Sequence, residues 1–161
     1  MILSEELKML VSALETAGVS YAVCGGYAVG LHGYPRMTYD LDILVQQNEL
    51  GTLETVVKTL GFDVVAGMFA FRKGLPEETR FWRVSKFDGP DHLVLDVLLV
   101  TPVFDEVWET RLRLSDGEQQ LWVVSREGLA IMKKVAGRTK DLADLQHLGI
   151  LPKDDEEPEQ L

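Results

Sequence analysis

The 161-residue chain is acidic, with 16 Lys and Arg against 26 Asp and Glu and a formal net charge of −10. This balance argues against a free-standing nucleic-acid binder, because such proteins usually present a basic surface to the phosphate backbone. Cys24 is the only cysteine, which excludes an intramolecular disulfide and a thiolate metal cluster.

The length suits one domain with its own hydrophobic core, which we expect to span residues 1–152. Residues 153–161 carry five acidic side chains and one lysine, so we expect an acidic, mobile tail there. The first residues do not resemble a signal peptide, and Asp96 interrupts the longest apolar stretch. We therefore expect a cytoplasmic protein with no membrane partner.

The first half of the chain predicts alternating helices and strands. Ser4 is predicted to cap the first helix, which ends at Gly18. The predicted elements that follow are a strand at 19–24, a helix at 27–31, a strand through Asp40 and Asp42, a helix at 49–60, and strands at 62–66 and 80–87.

The second half begins with a continuous apolar strand at 93–100, which contains Asp96. Pro102 is predicted to open a helix that runs to Leu112. The remaining predicted elements are a strand at 121–124, a helix that Ser125 caps and that ends near Gly137, and a helical segment at 141–148. The order predicts an α/β (α+β) fold, with a mixed β-sheet flanked by helices.

Two acids, Asp40 and Asp42, lie one residue apart within an otherwise apolar segment. On a strand they would share one face, where two carboxylates repel each other unless a cation compensates them. The pattern predicts a metal site. The alternative is an edge strand whose exposed face happens to be acidic.

A third acid, Asp96, stands alone among apolar residues, and a charge in such surroundings is rarely buried without a partner. Beside Asp40 and Asp42 it would complete a set of carboxylate oxygens that suits Mg²⁺ or Mn²⁺. It could also accept the proton of an attacking hydroxyl. The alternative is a salt bridge to one of three arginines, Arg36, Arg80 or Arg83.

The pair Gly25 and Gly26 ends one predicted strand and precedes a helix, where backbone N–H groups favour phosphate. Arg36 could contact phosphate or neutralise the acids nearby. His32, at a helix end, is better explained as a capping or packing residue than as a ligand. A basic cluster on the last helices could supply positive charge for a triphosphate, or could be a solvated face: Lys133, Lys134, Arg138 and Lys140.

The runs at 25–28 and 32–43 together resemble the glycine-pair and Asp-x-Asp signature of the nucleotidyltransferase (DNA polymerase beta-like) superfamily. They are most similar to the branch that holds the abortive-infection type-E toxin nucleotidyltransferases, whose terminal helices the runs at 125–133 and 136–145 resemble. Small aminoglycoside and lincosamide nucleotidyltransferases share a similar Gly-Gly-aromatic start. Many members carry Gly-Ser where this chain has Gly25-Gly26.

The resemblance implies transfer of an NMP group from an NTP to a hydroxyl of RNA, protein or a small molecule. The residues that it implies for metal binding and catalysis are Asp40, Asp42 and Asp96. Those that it implies for the nucleotide are Gly25, Gly26, Arg36, Thr38 and Lys133. No separate acceptor-binding domain is expected, so the acceptor would bind on the core or be brought by a partner protein.

Three functions follow as hypotheses. The first is an enzyme, within a toxin–antitoxin pair or outside one. The second is a non-catalytic module of the same fold that binds a nucleotide or a partner protein. The third is an enzyme that modifies an antibiotic of the aminoglycoside or lincosamide class. The three acids favour an enzyme, since a binding module has no need of all of them.

Overall fold

One seven-stranded sheet organises the fold in the computed structural model of the chain. The structure describes residues 1–34, 37–137, 139–147 and 149. Arg36 and the tail predicted at 153–161 lie outside the described residues. Within the described part, every helix is too short or too polar to cross a membrane.

The described residues form helices and strands that alternate through the first half of the chain. The helices are α1 (Leu3–Thr16), α2 (Gly25–Leu31), α3 (Leu50–Thr59), α4 (Asp105–Glu109), α5 (Arg126–Ala136) and α6 (Thr139–His147). Short 3₁₀ turns at Gln47–Glu49 and Pro102–Phe104 precede α3 and α4. The strands are β1 (Ala22–Cys24), β2 (Leu41–Val45), β3 (Phe62–Phe71), β4 (Thr79–Asp88), β5 (Asp91–Leu99), β6 (Leu112–Asp116) and β7 (Gln119–Val123).

The strand order is β3-β4-β5-β2-β1-β7-β6. β2 pairs with β5 and β1 pairs with β7 in parallel, whereas the other neighbours are antiparallel. The sheet is therefore mixed, and the predicted α+β fold class is confirmed.

The two faces of the central strands differ in polarity. On one face the alternate residues of β2 and β5 are buried and apolar, among them Leu41, Ile43, Leu95 and Val97. Helix α1 packs on this face. This packing is shown by Lys86 of β4, whose side chain projects from the same face and forms an ion pair of 2.9 Å with Glu6 of α1. The opposite face carries the acids of the candidate site.

Several details of the prediction were wrong. Ser4 does not cap α1, because the helix already begins at Leu3 and its N-cap is Ile2, which makes no side-chain cap bond. The helix opened by Pro102 does not reach Leu112, since α4 ends at Glu109 and the residues after it form β6. β6 escaped the prediction because it is a short hairpin strand, held to β7 across a turn at Gly117 whose φ is +64°. β3 is also five residues longer than predicted, since it pairs with β4 along its whole length.

The predicted cap of α5 is confirmed. The Ser125 hydroxyl accepts a hydrogen bond of 2.9 Å from the backbone N–H of Gly128. Gly137 ends the helix in the left-handed conformation, with a φ of +67°. These two residues fix both ends of the helix that carries Lys133.

Removing this cap should destabilise the protein. We expect Ser125→Ala to lower the free energy of unfolding by about 1 kcal/mol, because one buried N–H at the start of α5 loses its acceptor. Ser4→Ala is the matched control and should change it far less, since Ser4 lies exposed inside α1. Urea denaturation measures both, and equal effects of the two variants would contradict the assignment.

Candidate active site

Two of the predicted acids, Asp42 and Asp96, lie side by side. They are register partners on the parallel strands β2 and β5, so their side chains project from the same face of the sheet. Both are only partly exposed, and the Asp96 side chain retains 14% of its accessible surface. Like charges at such positions repel each other, so the arrangement needs a compensating cation.

Arg83 of β4 supplies positive charge to this pair. It is the register partner of Asp96, and its Nε and Nη2 donate to the two oxygens of that carboxylate at 2.7 and 2.9 Å. The hydrogen bond to Asp96 raises the pKa of the Arg83 guanidinium, and the charges of Asp96, Asp40 and Asp42 raise it further. The salt bridge that the sequence offered as an alternative for Asp96 is thus present.

Asp40 does not share a strand with Asp42. β2 begins at Leu41, and Asp40 lies before it at an exposed bend. The Thr38 hydroxyl donates to the backbone carbonyl of Asp40 at 3.5 Å, a long contact. The charge of Asp40 contributes to the raised pKa of the Arg83 guanidinium.

The cluster of three converging carboxylates that the sequence predicts is not assembled. Among the residues that the structure describes, no three or more His, Cys, Asp or Glu side chains are grouped to hold a metal ion. Asp40 lies outside β2 at an exposed bend, and the Arg83 guanidinium binds both oxygens of Asp96. The remaining donor chemistry still fits a hard cation, because Mg²⁺ usually takes one or two carboxylates and completes its shell with substrate phosphates and water. The roles of Asp40, Asp42 and Asp96 as ligands stay predictions.

The glycine pair meets the acids directly. α2 begins at Gly25, two residues earlier than predicted, and the φ of Gly25 is +65°. A Cβ atom on Gly25 would overlap Oδ2 of Asp42 and lie 2.7 Å from its Cγ. Gly26 follows as a buried residue of the first helical turn. Only glycine at position 25 allows both the left-handed backbone and this close approach.

Lys133 of α5 is buried. Its Nζ forms an ion pair of 3.1 Å with Asp144 of α6, and the two side chains are 6% and 5% exposed. Cys24 lies on β1 as the register partner of Asp42. Burial raises the pKa of the Cys24 thiol, the charge of Asp42 raises it further, and the charge of Lys133 lowers it. A nucleotide contact by Lys133 stays a prediction.

His32 behaves as the sequence favours. It is the C-cap residue of α2, and its Nε2 forms a hydrogen bond of 2.8 Å with the carbonyl of Val124.

Three residues to which the sequence analysis gave no role lie on the acidic face of the sheet: Phe69, Phe71 and Phe81. Their spacing of two along β3, with Phe81 two residues before Arg83, is the signal that could have identified them.

The fold is that of known nucleotidyltransferases. The lincosamide antibiotic adenylyltransferase LnuA, solved with lincomycin bound, superimposes with a TM-score of 0.65 at 15% identity, over 93% of this chain and 99% of that one. The antibiotic-resistance factor ANT(2'')-Ia gives 0.60 at 13% identity, over 89% and 80%. An inferred nucleotidyltransferase from Thermotoga maritima gives 0.60 at 16% identity, over 91% and 94%. No protein-family model matches the sequence, and no curated protein matches it significantly.

Replacing Gly25 with alanine should destabilise the protein more than the same replacement at Gly18. Gly18 has a φ of +72° and open space where a Cβ would be, so Gly18→Ala carries only the backbone cost of about 1 kcal/mol. Gly25→Ala adds the overlap with Asp42 and should lower the free energy of unfolding by clearly more than Gly18→Ala does. Equal losses in urea denaturation would show that Asp42 does not lie against Gly25.

Proposed function

We propose that the protein is a metal-dependent nucleotidyltransferase that moves an NMP group from an NTP to a hydroxyl of RNA, protein or a small molecule. The observation that carries this proposal is the register pairing of Asp42 with Asp96, on the sheet face against which Gly25 turns. The fold shared with known nucleotidyltransferases supports it.

Mg²⁺ or Mn²⁺ is the proposed cofactor, held by Asp40 and Asp42 with Asp96 as the third carboxylate. When bound, such an ion would neutralise phosphate charge and lower the pKa of the attacking hydroxyl. Asp42, held close to the Gly25 turn, would then bind the ion where the phosphates approach the backbone.

Asp96 is the proposed acceptor of the hydroxyl proton. In the transfer, the hydroxyl oxygen forms a bond to the α-phosphorus, the bond from that phosphorus to the bridging oxygen breaks, and pyrophosphate leaves. Although Arg83 binds both oxygens of Asp96, each oxygen keeps a further lone pair for a proton. Arg83 is therefore a positioning residue, because its two bonds fix the plane of the carboxylate.

The nucleotide would be bound by Gly25, Gly26, Arg36, Thr38 and Lys133. The charge of Lys133 lowers the pKa of the Cys24 thiol, and Cys24 is the register partner of Asp42. Because Lys133 is buried and ion-paired with Asp144, it would act through its electric field unless α5 and α6 shift.

Two finer assignments of the acceptor are open to test. An antibiotic hydroxyl is supported by the likeness to LnuA and ANT(2'')-Ia, since the similarity spans nearly the whole length of LnuA. A role in a toxin–antitoxin pair, with a partner protein, rests on the sequence resemblance. A module that binds a nucleotide or a partner without turnover is the non-catalytic alternative.

Transfer activity should depend on Asp42. The protein is incubated with each labelled NTP, Mg²⁺ and a cell extract, while pyrophosphate release and label incorporation are measured. We expect Asp42→Asn to lower both rates at least about 100-fold, because a ligand of the metal–phosphate complex is lost. The labelled product identifies the acceptor as RNA, protein or a small molecule.

Asp63→Asn is the matched control, since Asp63 is an exposed acid on β3, and it should leave the rates unchanged. Circular dichroism checks that both variants fold. No pyrophosphate release by the wild-type protein under any of these conditions would favour the binding module. Unchanged susceptibility of expressing cells to aminoglycosides and lincosamides would count against antibiotic modification.

A further inference from the structure

An exposed aromatic surface lies beside the candidate active site. It consists of Phe69 and Phe71 of β3 and Phe81 of β4, and we name it the phenylalanine platform. The Phe81 ring stacks against the other two, with centroid distances of 5.1 Å to Phe69 and 5.8 Å to Phe71. Phe69 and Phe71 remain 42% and 58% exposed. Rings so exposed and so close together are typical of a binding surface rather than of a core.

The platform shares the sheet face of the acids. Phe69 is the register partner of Phe81, and Phe81 is that of Leu98, which lies two residues after Asp96 on β5. Side chains two residues apart on a strand project from the same face. The platform and Asp96 therefore face the same space above the sheet.

Arg83 connects the two features. Its guanidinium binds Asp96 and also lies 5.3 Å from the centroid of the Phe81 ring. A molecule resting on the platform would thus have its edge beside Arg83, and beyond it the carboxylate of Asp96.

The order of groups across the sheet indicates which substrate the platform receives. From β1 outwards the face presents the Gly25 turn, then Asp42, Asp96 and Arg83, and finally the platform. With phosphates at the Gly25 turn, in-line displacement requires the hydroxyl to approach from the side opposite the departing pyrophosphate. That side is the one beyond Asp96, where the platform lies.

We infer that the platform is the acceptor subsite, and that the acceptor is a small molecule carrying an aromatic or flat apolar ring near its reacting hydroxyl. This inference rests on the proposed function. The net charge of −10 disfavours RNA.

Direct binding tests the platform without any requirement for turnover. The probes are p-nitrophenyl β-D-glucopyranoside, which has a ring, and methyl β-D-glucopyranoside, which has the same sugar hydroxyls without it. Ligand-observed NMR should detect the first probe on the wild-type protein and give a much weaker signal for the second. We expect Phe69→Ala to weaken binding of the nitrophenyl probe about tenfold, as loss of a stacking partner does.

Phe87→Ala is the matched control, because Phe87 lies on the same face of β4, is 54% exposed, and stacks on His92 away from the acids. It should leave binding unchanged. Equal binding of the two probes, or equal effects of the two variants, would overturn the inference. So would a dimer in light scattering that Phe69→Ala dissociates, since the platform would then bind a second copy of the chain.

A transfer assay separates the inference from the proposed function. With the acceptor found in extract, Phe69→Ala should raise KM about tenfold and leave kcat nearly unchanged, while Phe87→Ala alters neither. Transfer that Phe69→Ala does not affect would reject the platform and keep the proposed function. Ring binding that depends on Phe69, without transfer by the wild-type protein, would reject the proposed function and keep a ring-binding site.

Discussion

The candidate site depends on the repulsion between Asp42 and Asp96 and on its compensation. These acids are register partners on neighbouring strands, whose axes lie about 5 Å apart, and like charges at such a separation would repel by roughly 3 kcal/mol near a protein surface. Arg83 opposes this cost with two charge-assisted hydrogen bonds to Asp96. The buried apolar face on the other side of β2 and β5 fixes the strands, so the acids cannot escape by a slip in register.

The position of Asp42 also constrains the backbone at residue 25. The chain turns from β1 into α2 through a left-handed residue whose missing Cβ leaves room for Asp42. A side chain there would displace either α2 or Asp42. The position of the turn and the position of the Asp42 side chain therefore depend on each other. The buried ion pair of Lys133 and Asp144 connects α5 to α6, and the charge of Lys133 lowers the pKa of the Cys24 thiol.

Local patterns in the sequence predict much of the fold. The apolar runs of β2 and β5, the caps of α5 and the acids themselves are visible because each depends on neighbouring residues. Contacts between distant residues are not visible. Three arginines were equally able to pair with Asp96, and only the β4–β5 register selects Arg83. Asp40 reads as part of a strand, yet β2 begins after it. On one side β1 ends at Cys24, opposite Asp42, where the chain turns into α2, and on the other side the pairing of β2 with β5 begins at Leu41, although β5 itself continues. β6 is stabilised by pairing with β7 rather than by its own pattern.

The long hairpin of β3 and β4 carries the surface that we propose as the acceptor subsite. β3 has ten residues, and its outer half extends past the acids as an edge strand with exposed aromatic side chains. An edge strand of this kind is a liability in water unless something covers it. The hairpin is anchored at its far end, where Arg72 donates to the carbonyl of Val135 in α5 at 2.9 Å. Pairing with β4 along β3 restricts the backbone that carries Phe69 and Phe71, which would lower the entropy lost when a planar ligand binds. The same strand extension thus exposes the rings and places them on the sheet face of Asp96.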